Sequence, residues 1–380
     1  MAMAAFFPWL KIDDEIEFDD FNIVPAKSVT SANHGSKNSI DFVLKPYINH
    51  QGLPINEAVF LFLKIKDLFK DLDEGERAYL FLIAEILAFC SLSSRSYFGI
   101  SNYCNRDNFT LIIQSFDGTN GFTVNTRRRD GHSISSYSGN TFSAKAPFHV
   151  DLNYTLFFDE NLAKALFNAE KNMSENKWQN IYAAIFNYNH SNTDDYQISE
   201  QQELVMLLGA FQRLLDCSSA KADELAKAFL AKTIPSEEIK ICISKKLSTK
   251  THNYRSLREA WIKDAYALRG QYAHGKHKTQ MHTYWNRQEH LLLGAFVFPL
   301  LLKIVLSKEN FYEITDYDKT NINAFESLLD ADIFNPPKDQ KNSLDWEWNR
   351  ILNNSYESKY AKEIVRVFLE KKGSQEQDNR

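Results

Sequence analysis

Hydrophobic and polar residues change their period along the chain. Between residues 11 and 50, IEFDDFNIV and IDFVLKPYI flank the polar stretch SANHGSKNS, which predicts short strands joined by a loop. From Asn56, apolar residues recur at i, i+3, i+4 and i+7 in NEAVFLFLKIKDLFKDL and GERAYLFLIAEILAFCSLSS. This period predicts two helices, of which the second, about Glu74–Leu92, is apolar on most sides and therefore central.

Strand signals return in SYFGIS, FTLIIQSF and GFTVNTR, which are separated by turn residues, and FHVDLNYTLFF is a candidate for one more strand. Residues 1–155 are therefore predicted to form an α+β domain with a mostly antiparallel sheet.

The rest of the chain follows a helical period almost throughout. A helical bundle is predicted over residues 156–335, and the break at Asn335-Pro336-Pro337 separates it from a C-terminal helical appendage, residues 336–380, with a disordered tail. Ser199, followed three residues later by Gln202, predicts a capped helix start. The predicted helices are Glu160–Lys171, Lys177–Tyr188, Glu200–Cys217, Lys221–Lys232, Pro235–Lys245, Ser256–Tyr272, Tyr284–Ser307 and Asn321–Ala331.

Charge and cysteine content narrow the classes of function. The net charge of −5 argues against a protein that binds nucleic acid through its overall charge, so any RNA contact requires a local patch or assembly of two chains. Four scattered cysteines do not form a disulfide framework and indicate a reducing cytoplasm. The acidic start of the chain is unlike a signal peptide. The apolar run Leu291–Leu302 is too short for a membrane span, so a cytoplasmic protein without membrane contact is expected.

Common catalytic motifs are absent from the sequence. It contains no GxxxxGK[ST], no GxGxxG after a strand, no HExxH and no GxSxG. These absences argue against P-loop NTPases, Rossmann dehydrogenases, zincins and typical α/β-hydrolases.

One short motif stands out at the end of a predicted helix. Residues 257–278, LREAWIKDAYALRGQYAHGKHK, contain Arg269 followed by His274, and an upstream helix carries Ala-Phe-Gln-Arg-Leu-Leu at 210–215. This pair of helices resembles the R-x4-6-H signature of the HEPN ribonuclease superfamily, in particular the ApeA-like phage-defence proteins, over about residues 175–310. A second match, Arg127 to His132, lies at a strand-to-turn boundary and is interpreted as a chance match.

The resemblance implies a site and an activity. Arg269 and His274 would be the catalytic pair of a metal-independent endoribonuclease that needs no cofactor. The family often has an acidic residue in the first helix, where this chain has Gln212, and Asp216, one turn later, could replace it. The resemblance further implies a homodimer formed through the HEPN domain, RNA substrates such as tRNA, a role in antiphage or abortive-infection defence, and an N-terminal domain that responds to a phage or regulatory trigger.

The chemistry of the pair suits RNA cleavage through the 2′-OH. His274 can transfer a proton near neutral pH, and Arg269 offers a planar fork to the phosphate in the transition state. Positions i and i+5 lie about 140° apart on a straight helix, so the pair requires a long Arg reach, a distortion at Gly270 or two chains meeting at a two-fold axis.

Further residues are candidates for RNA binding. Tyr272, Tyr284 and Trp285 are candidates for stacking on bases. The candidate contacts to the RNA backbone are Lys276, His277, Lys278, Arg127, Arg128 and Arg129.

Alternatives remain open at this stage. Arg269 and His274 are also compatible with a surface arginine and a histidine that interacts with the helix dipole. Five histidines between residues 252 and 290 could mark a metal site, but they have no recognisable ligand spacing, and no metal is predicted. The whole helical region is also compatible with a non-catalytic HEPN module that binds RNA or protein, or with a dimerising adaptor.

Overall fold

A computed structural model describes residues 2–31, 37–64, 71–98, 102–116, 121–125, 129–130, 134–138, 142–217, 221–233, 247, 256–273, 283–334 and 347–356. The chain forms two compact units. The first comprises Met1–Ala163 and Asn192–Ile198, and the second comprises Lys164–Ser191 and Ser199–Arg380. An antiparallel sheet lies in the first unit and the second is mostly helical, which confirms the predicted order of an α+β region followed by a helical region.

The described residues of the first unit form short strands and three helices. Its strands are β1 (Ala2–Phe7), β2 (Ile16–Glu17), β3 (Phe21–Pro25), β4 (Tyr47–Ile48), β5 (Val59–Leu63), β6 (Ile112–Phe116), β7 (Gly121–Asn125), β8 (Ile134–Ser138) and β9 (Ala144–Lys145). Its helices are α1 (Ala26–Ser31), α2 (Lys37–Leu44), α3 (Glu74–Ser94) and a 3-10 turn over Arg106–Phe109.

Seven strands form one sheet in the order β2-β3-β5-β1-β6-β7-β8, and all neighbours are antiparallel. Successive side chains of a strand point to opposite faces, and Phe6 and Phe7 in β1 are both fully buried, as are Val59 and Phe60 in β5. The centre of the sheet is therefore covered on both faces. One of these faces packs against α1 and α2 through Val29, Ile40, Val43 and Leu44.

Several elements of the first unit differ from the prediction. The segment 59–63, expected in a helix, is strand β5, because its uninterrupted apolar run is buried on both sides of a sheet. The segment 40–44, expected in a strand, belongs to α2, which places Ile40, Val43 and Leu44 on one helical face. Residues 148–158 form only an isolated bridge between Lys11 and Thr155. Residues 97 and 98, expected in a strand, are bends, and Phe98 has a φ of 59°.

The helices of the second unit follow the predicted order closely. They are α4 (Glu160–Asn172, which begins in the first unit), α5 (Glu175–His190), α6 (Glu200–Leu214), α7 (Ala222–Thr233), α8 (Leu257–Ala273), α9 (Arg287–Lys308) and α10 (Asp316–Leu329), followed by a helix over residues 347–356. The capping box predicted at Ser199 is present: its hydroxyl accepts from the Gln202 N–H at 3.3 Å. The predicted helix Pro235–Lys245 lies outside the described residues.

Helix α6 is the central helix of this unit, since it packs against α5, α8 and α9. On its inner face Phe211 is fully buried and contacts Phe229, Trp261 and Phe298, with ring centroids 5.3–6.0 Å apart. Large aromatic side chains of this kind contribute much of the apolar area buried in a core. The next residue, Gln212, lies about 100° around the helix from Phe211 and is only half-buried, so its side chain points away from this core.

Among the described residues, two helices, α3 and α9, are long and apolar enough to cross a membrane by length and composition, a test that the core helix of a soluble protein also passes. Of the most apolar window in each, 56% and 67% respectively is buried inside the structure.

Candidate functional site

A cavity of about 690 Å³ opens between α5, α6 and α8 of the second unit. Small-molecule sites commonly have volumes of about 300–1,000 Å³, so this one is large enough for a ligand. Its polar lining side chains are Asn180, Asn187, Gln212, Arg213, Asp216 and Arg269. The remaining lining residues are Val205, Met206, Gly209, Cys217 and Tyr266.

The end of α6 determines where Asp216 lies. The Cys217 N–H donates to the Gln212 carbonyl at 2.9 Å, and the Asp216 N–H donates to the Arg213 carbonyl at 3.2 Å. This pair of bonds is the Schellman motif, whose turning residue is usually glycine. Here Asp216 is the turning residue, with a φ of 53°. The chain thus keeps a carboxylate at the rim of the cavity in a left-handed conformation that glycine would adopt with less strain.

Arg269 reaches the cavity from the third helix of the site, α8. Its guanidinium carbon lies 5.9 Å from the centre of the Tyr266 ring, one turn earlier on the same helix. Its Nε is shielded from solvent and has no hydrogen-bond partner among the described residues. A buried N–H without an acceptor is costly, and a bound acceptor such as a phosphate oxygen would remove that cost.

The charges in the cavity favour an anion. Two guanidinium groups, those of Arg213 and Arg269, line it together with one carboxylate, that of Asp216. Burial raises the pKa of the Cys217 thiol, and the carboxylates of Glu224 and Asp216 raise it further. The Cys217 thiol is therefore protonated at neutral pH, and a protonated thiol is a poor nucleophile.

Three of the four predicted catalytic residues line this one cavity. Gln212 and Asp216 come from the end of α6, and Arg269 comes from α8. The fourth, His274, lies outside the described residues, directly after the last described residue of α8, Ala273. Lys276, His277, Lys278, Arg127 and Arg128 also lie outside the described residues.

The remaining predicted contacts lie elsewhere. Tyr272 is half-buried in α8, and the Arg287 guanidinium lies 5.6 Å from the centre of its ring. Arg129 is exposed in a turn of the first unit. The prediction that Trp285 stacks on bases is wrong, because this side chain is fully buried and its Nε1 donates to the Leu329 carbonyl at 2.9 Å.

Asp264, a buried residue of α8, binds the backbone of the segment that precedes α9. The Asp264 carboxylate accepts from the backbone N–H groups of Tyr284 and Trp285 at 3.0 and 3.2 Å, and its Oδ2 lies 3.2 Å from the His290 Nε2. His290 is thus held inside the unit by Asp264. Within the described part of the chain no group of three or more histidine, cysteine, aspartate and glutamate side chains could hold a metal ion, whereas His252, His274, His277 and His282 lie outside it.

Four of the polar and aromatic lining residues are not predicted by the sequence: Asn180, Asn187, Arg213 and Tyr266. Asn180 and Asn187 are seven residues apart on α5, two turns on one helical face, but only the packing of α5 on α6 brings them to the cavity. Arg213 follows Gln212 directly, and Tyr266 precedes Arg269 by three residues. That i, i+3 spacing was the one signal in the sequence that could have found Tyr266.

Neither a protein-family model nor a curated protein nor a solved structure matches the chain.

Proposed function

We propose that this chain is a metal-independent endoribonuclease of the HEPN type, with Arg269 and His274 as its catalytic pair. The observation that carries the proposal is the shared cavity of Gln212, Asp216 and Arg269. The resemblance to a two-helix site predicts these residues. They come from the end of α6 and from α8, two helices that are separated by more than 40 residues of sequence. The resemblance requires that residues of these two helices share one site, so their common cavity supports the proposal.

Each group has a role in cleaving RNA through its own 2′-OH. Arg269 binds the phosphate and stabilises the charge that develops on it. His274 transfers a proton to or from the reacting oxygens, as an imidazole can near neutral pH. Asp216, or the carboxamide of Gln212, orients the imidazole or the attacking hydroxyl. Cleavage through the 2′-OH restricts the substrate to RNA, with tRNA as the family-level candidate.

The proposal includes assembly and regulation. Two chains pair through their helical units, so that two Arg–His sets meet at a two-fold axis. The first unit responds to a phage-derived or regulatory trigger, and the biological role is antiphage defence in the cytoplasm.

The dimer is tested by light scattering, which should give a molar mass near twice the 44.0 kDa of one chain. A strictly monomeric protein that still cleaves RNA would exclude the dimeric site.

A second candidate is a non-catalytic module that binds RNA in the same cavity. It is favoured by Gln212, because a carboxamide occupies the position where the family often has an acid. The two candidates differ in one outcome: the module binds RNA and never cuts it.

The test is incubation of purified protein with total RNA in EDTA. We expect discrete fragments with 2′,3′-cyclic phosphate ends from the wild type. We expect a loss of about 100-fold or more in rate for Arg269→Ala and for His274→Ala, since each removes a group that acts in the transition state.

The matched control is Arg350→Ala, which removes an exposed arginine of the same unit that pairs with Glu347. It should cleave at the wild-type rate. Equal cleavage by wild type and both site variants would point to a contaminating nuclease and reject the proposal. RNA that is bound but intact in every sample would support the binding module instead.

A further inference from the structure

The polar side chains of the cavity between α5, α6 and α8 do not bind one another. Asn180, Asn187 and Gln212 are half-buried carboxamides. Among the residues that the structure describes, neither they nor the Asp216 carboxylate has a side-chain hydrogen bond or ion pair. By contrast, Lys263 in the same unit is paired with Asp223 and Glu259, both at 2.7 Å. Donors and acceptors that converge without satisfying each other are typical of a ligand site.

The two ends of the cavity differ in chemistry. Arg213 and Arg269 lie on the side formed by α6 and α8, where guanidinium groups suit a phosphate. Asn180 and Asn187 lie on the α5 side. A carboxamide presents a donor and an acceptor side by side, and this pattern matches the edge of a nucleobase. The Tyr266 ring supplies an aromatic surface on which a base can stack.

Gly209 keeps the α5 side open. A Cβ at this position would lie 3.4 Å from Nδ2 of Asn187, so any longer side chain would enter the space next to that carboxamide. Glycine inside a helix lowers its stability by roughly 1 kcal/mol relative to alanine. The cavity thus retains a residue that is unfavourable for α6 and leaves the carboxamide accessible.

We propose that this cavity binds one unpaired ribonucleotide of an RNA strand, with its phosphate at Arg213 and Arg269 and its base at Asn180 and Asn187. This inference rests on the proposed function and adds a base-reading subsite to it. Asn180, Asn187 and Arg213 are then binding residues that give the nuclease a preference for the nucleotide beside the cleaved bond.

The test measures binding of single-stranded nine-nucleotide A, C and U RNAs to the full-length His274→Ala protein, which cannot cleave them under the proposed mechanism. We expect the dissociation constants of the best and worst RNA to differ about 5-fold or more, as for one well-formed carboxamide–base pair. Asn187→Ala should remove this difference. Gln179→Ala is the matched control, because Gln179 is an exposed carboxamide on the same helix that bonds to Glu175 at 2.7 Å.

A second variant closes the cavity without removing a polar group. Gly209→Leu should raise the helical propensity of α6 and still abolish the base preference. Equal affinity for the three RNAs in the parent protein, or an unchanged preference in both Asn187→Ala and Gly209→Leu, would overturn the proposal. Cleavage without base preference would overturn the base-reading subsite alone. Base preference without cleavage in the wild type would overturn the nuclease activity alone. No RNA binding would overturn both proposals.

Discussion

Asp216 occupies a position where the backbone favours glycine, and its side chain lines the candidate site. A side chain in the left-handed region costs about 1–2 kcal/mol, somewhat less for Asp and Asn, whose short polar groups tolerate it. Such strain is often kept at functional sites. Replacing Asp216 with glycine should therefore change the free energy of unfolding and the rate of RNA cleavage in opposite directions.

We expect Asp216→Gly to be at least as stable as the wild type, and up to about 1 kcal/mol more stable, while RNA cleavage falls. Asp216→Ala removes the same carboxylate without relieving the backbone, so it should be about 1 kcal/mol less stable than the glycine variant. Urea unfolding of the three proteins checks the order. If alanine and glycine variants are equally stable, the strain argument is wrong.

The residues of the candidate site could be predicted only in part. Gln212, Asp216 and Arg269 were found because they lie beside a recognisable motif. Asn180 and Asn187 were not, because nothing in α5 alone shows which of its polar positions faces α6. Trp285 was misassigned because a tryptophan next to a basic segment suggests stacking, whereas its burial depends on the packing of the whole unit.

At the scale of elements, the two halves of the chain differ in how well the sequence predicts them. Most helices of the second unit bury one face, so apolar residues recur at the helical period, whereas α9 is buried on most sides; caps such as Ser199 and Asn286 mark helix starts. Strands β1 and β5 are buried on both faces and therefore show no alternation. For this reason β1 was missed and β5 was predicted to be helical.

A buried ion pair joins α9 to α10. The Lys303 Nζ lies 2.8 Å from the Asp318 carboxylate, and both side chains are at most 9% exposed. Tyr312 and Thr315 also donate to Asp318. Replacing Lys303 with Met should cost about 3–5 kcal/mol at pH 7, because a buried carboxylate loses its partner. In the control Lys319→Met, which breaks an exposed pair with Asp316, the change should stay within about 0.5 kcal/mol.

The same pair predicts a dependence on pH. Burial alone would raise the pKa of Asp318, but the Lys303 ammonium and the Thr315 hydrogen bonds lower it below the ordinary aspartate value. A carboxyl with a lowered pKa contributes stability above its unfolded pKa and loses this contribution as the pH falls through the folded value. The stability difference between wild type and Lys303→Met should therefore shrink as the pH is lowered from 7 towards about 4 and below. Urea midpoints at several pH values test this, and a difference that grows in acid would contradict it.

At the scale of the whole molecule, the chain passes between its two units more than once. The predicted boundary lies between residues 155 and 156, whereas the first unit also includes Asn192–Ile198, between α5 and α6. This segment was not assigned to the sheet region because it has neither an apolar period nor a motif. It joins the unit through polar contacts, which hydrophobic patterning does not detect.

Asn192 makes two of the polar contacts that join that segment to the first unit, beside those of Thr193 and Asp194. The side-chain oxygen of Asn192 accepts from the Arg95 guanidinium, and its carbonyl accepts from the Arg106 N–H at 2.9 Å. Because Asn192 is buried, Asn192→Ala should cost the first unit about 1–3 kcal/mol by removing an acceptor from a charged group. Hydrogen exchange of the β1 and β6 amides should then accelerate about 5-fold or more, if these strands exchange through unfolding of that unit. Gln197→Ala, an exposed change in the same segment, should leave exchange unaltered. If Asn192→Ala also leaves exchange unaltered, the Asn192 side chain does not stabilise the first unit.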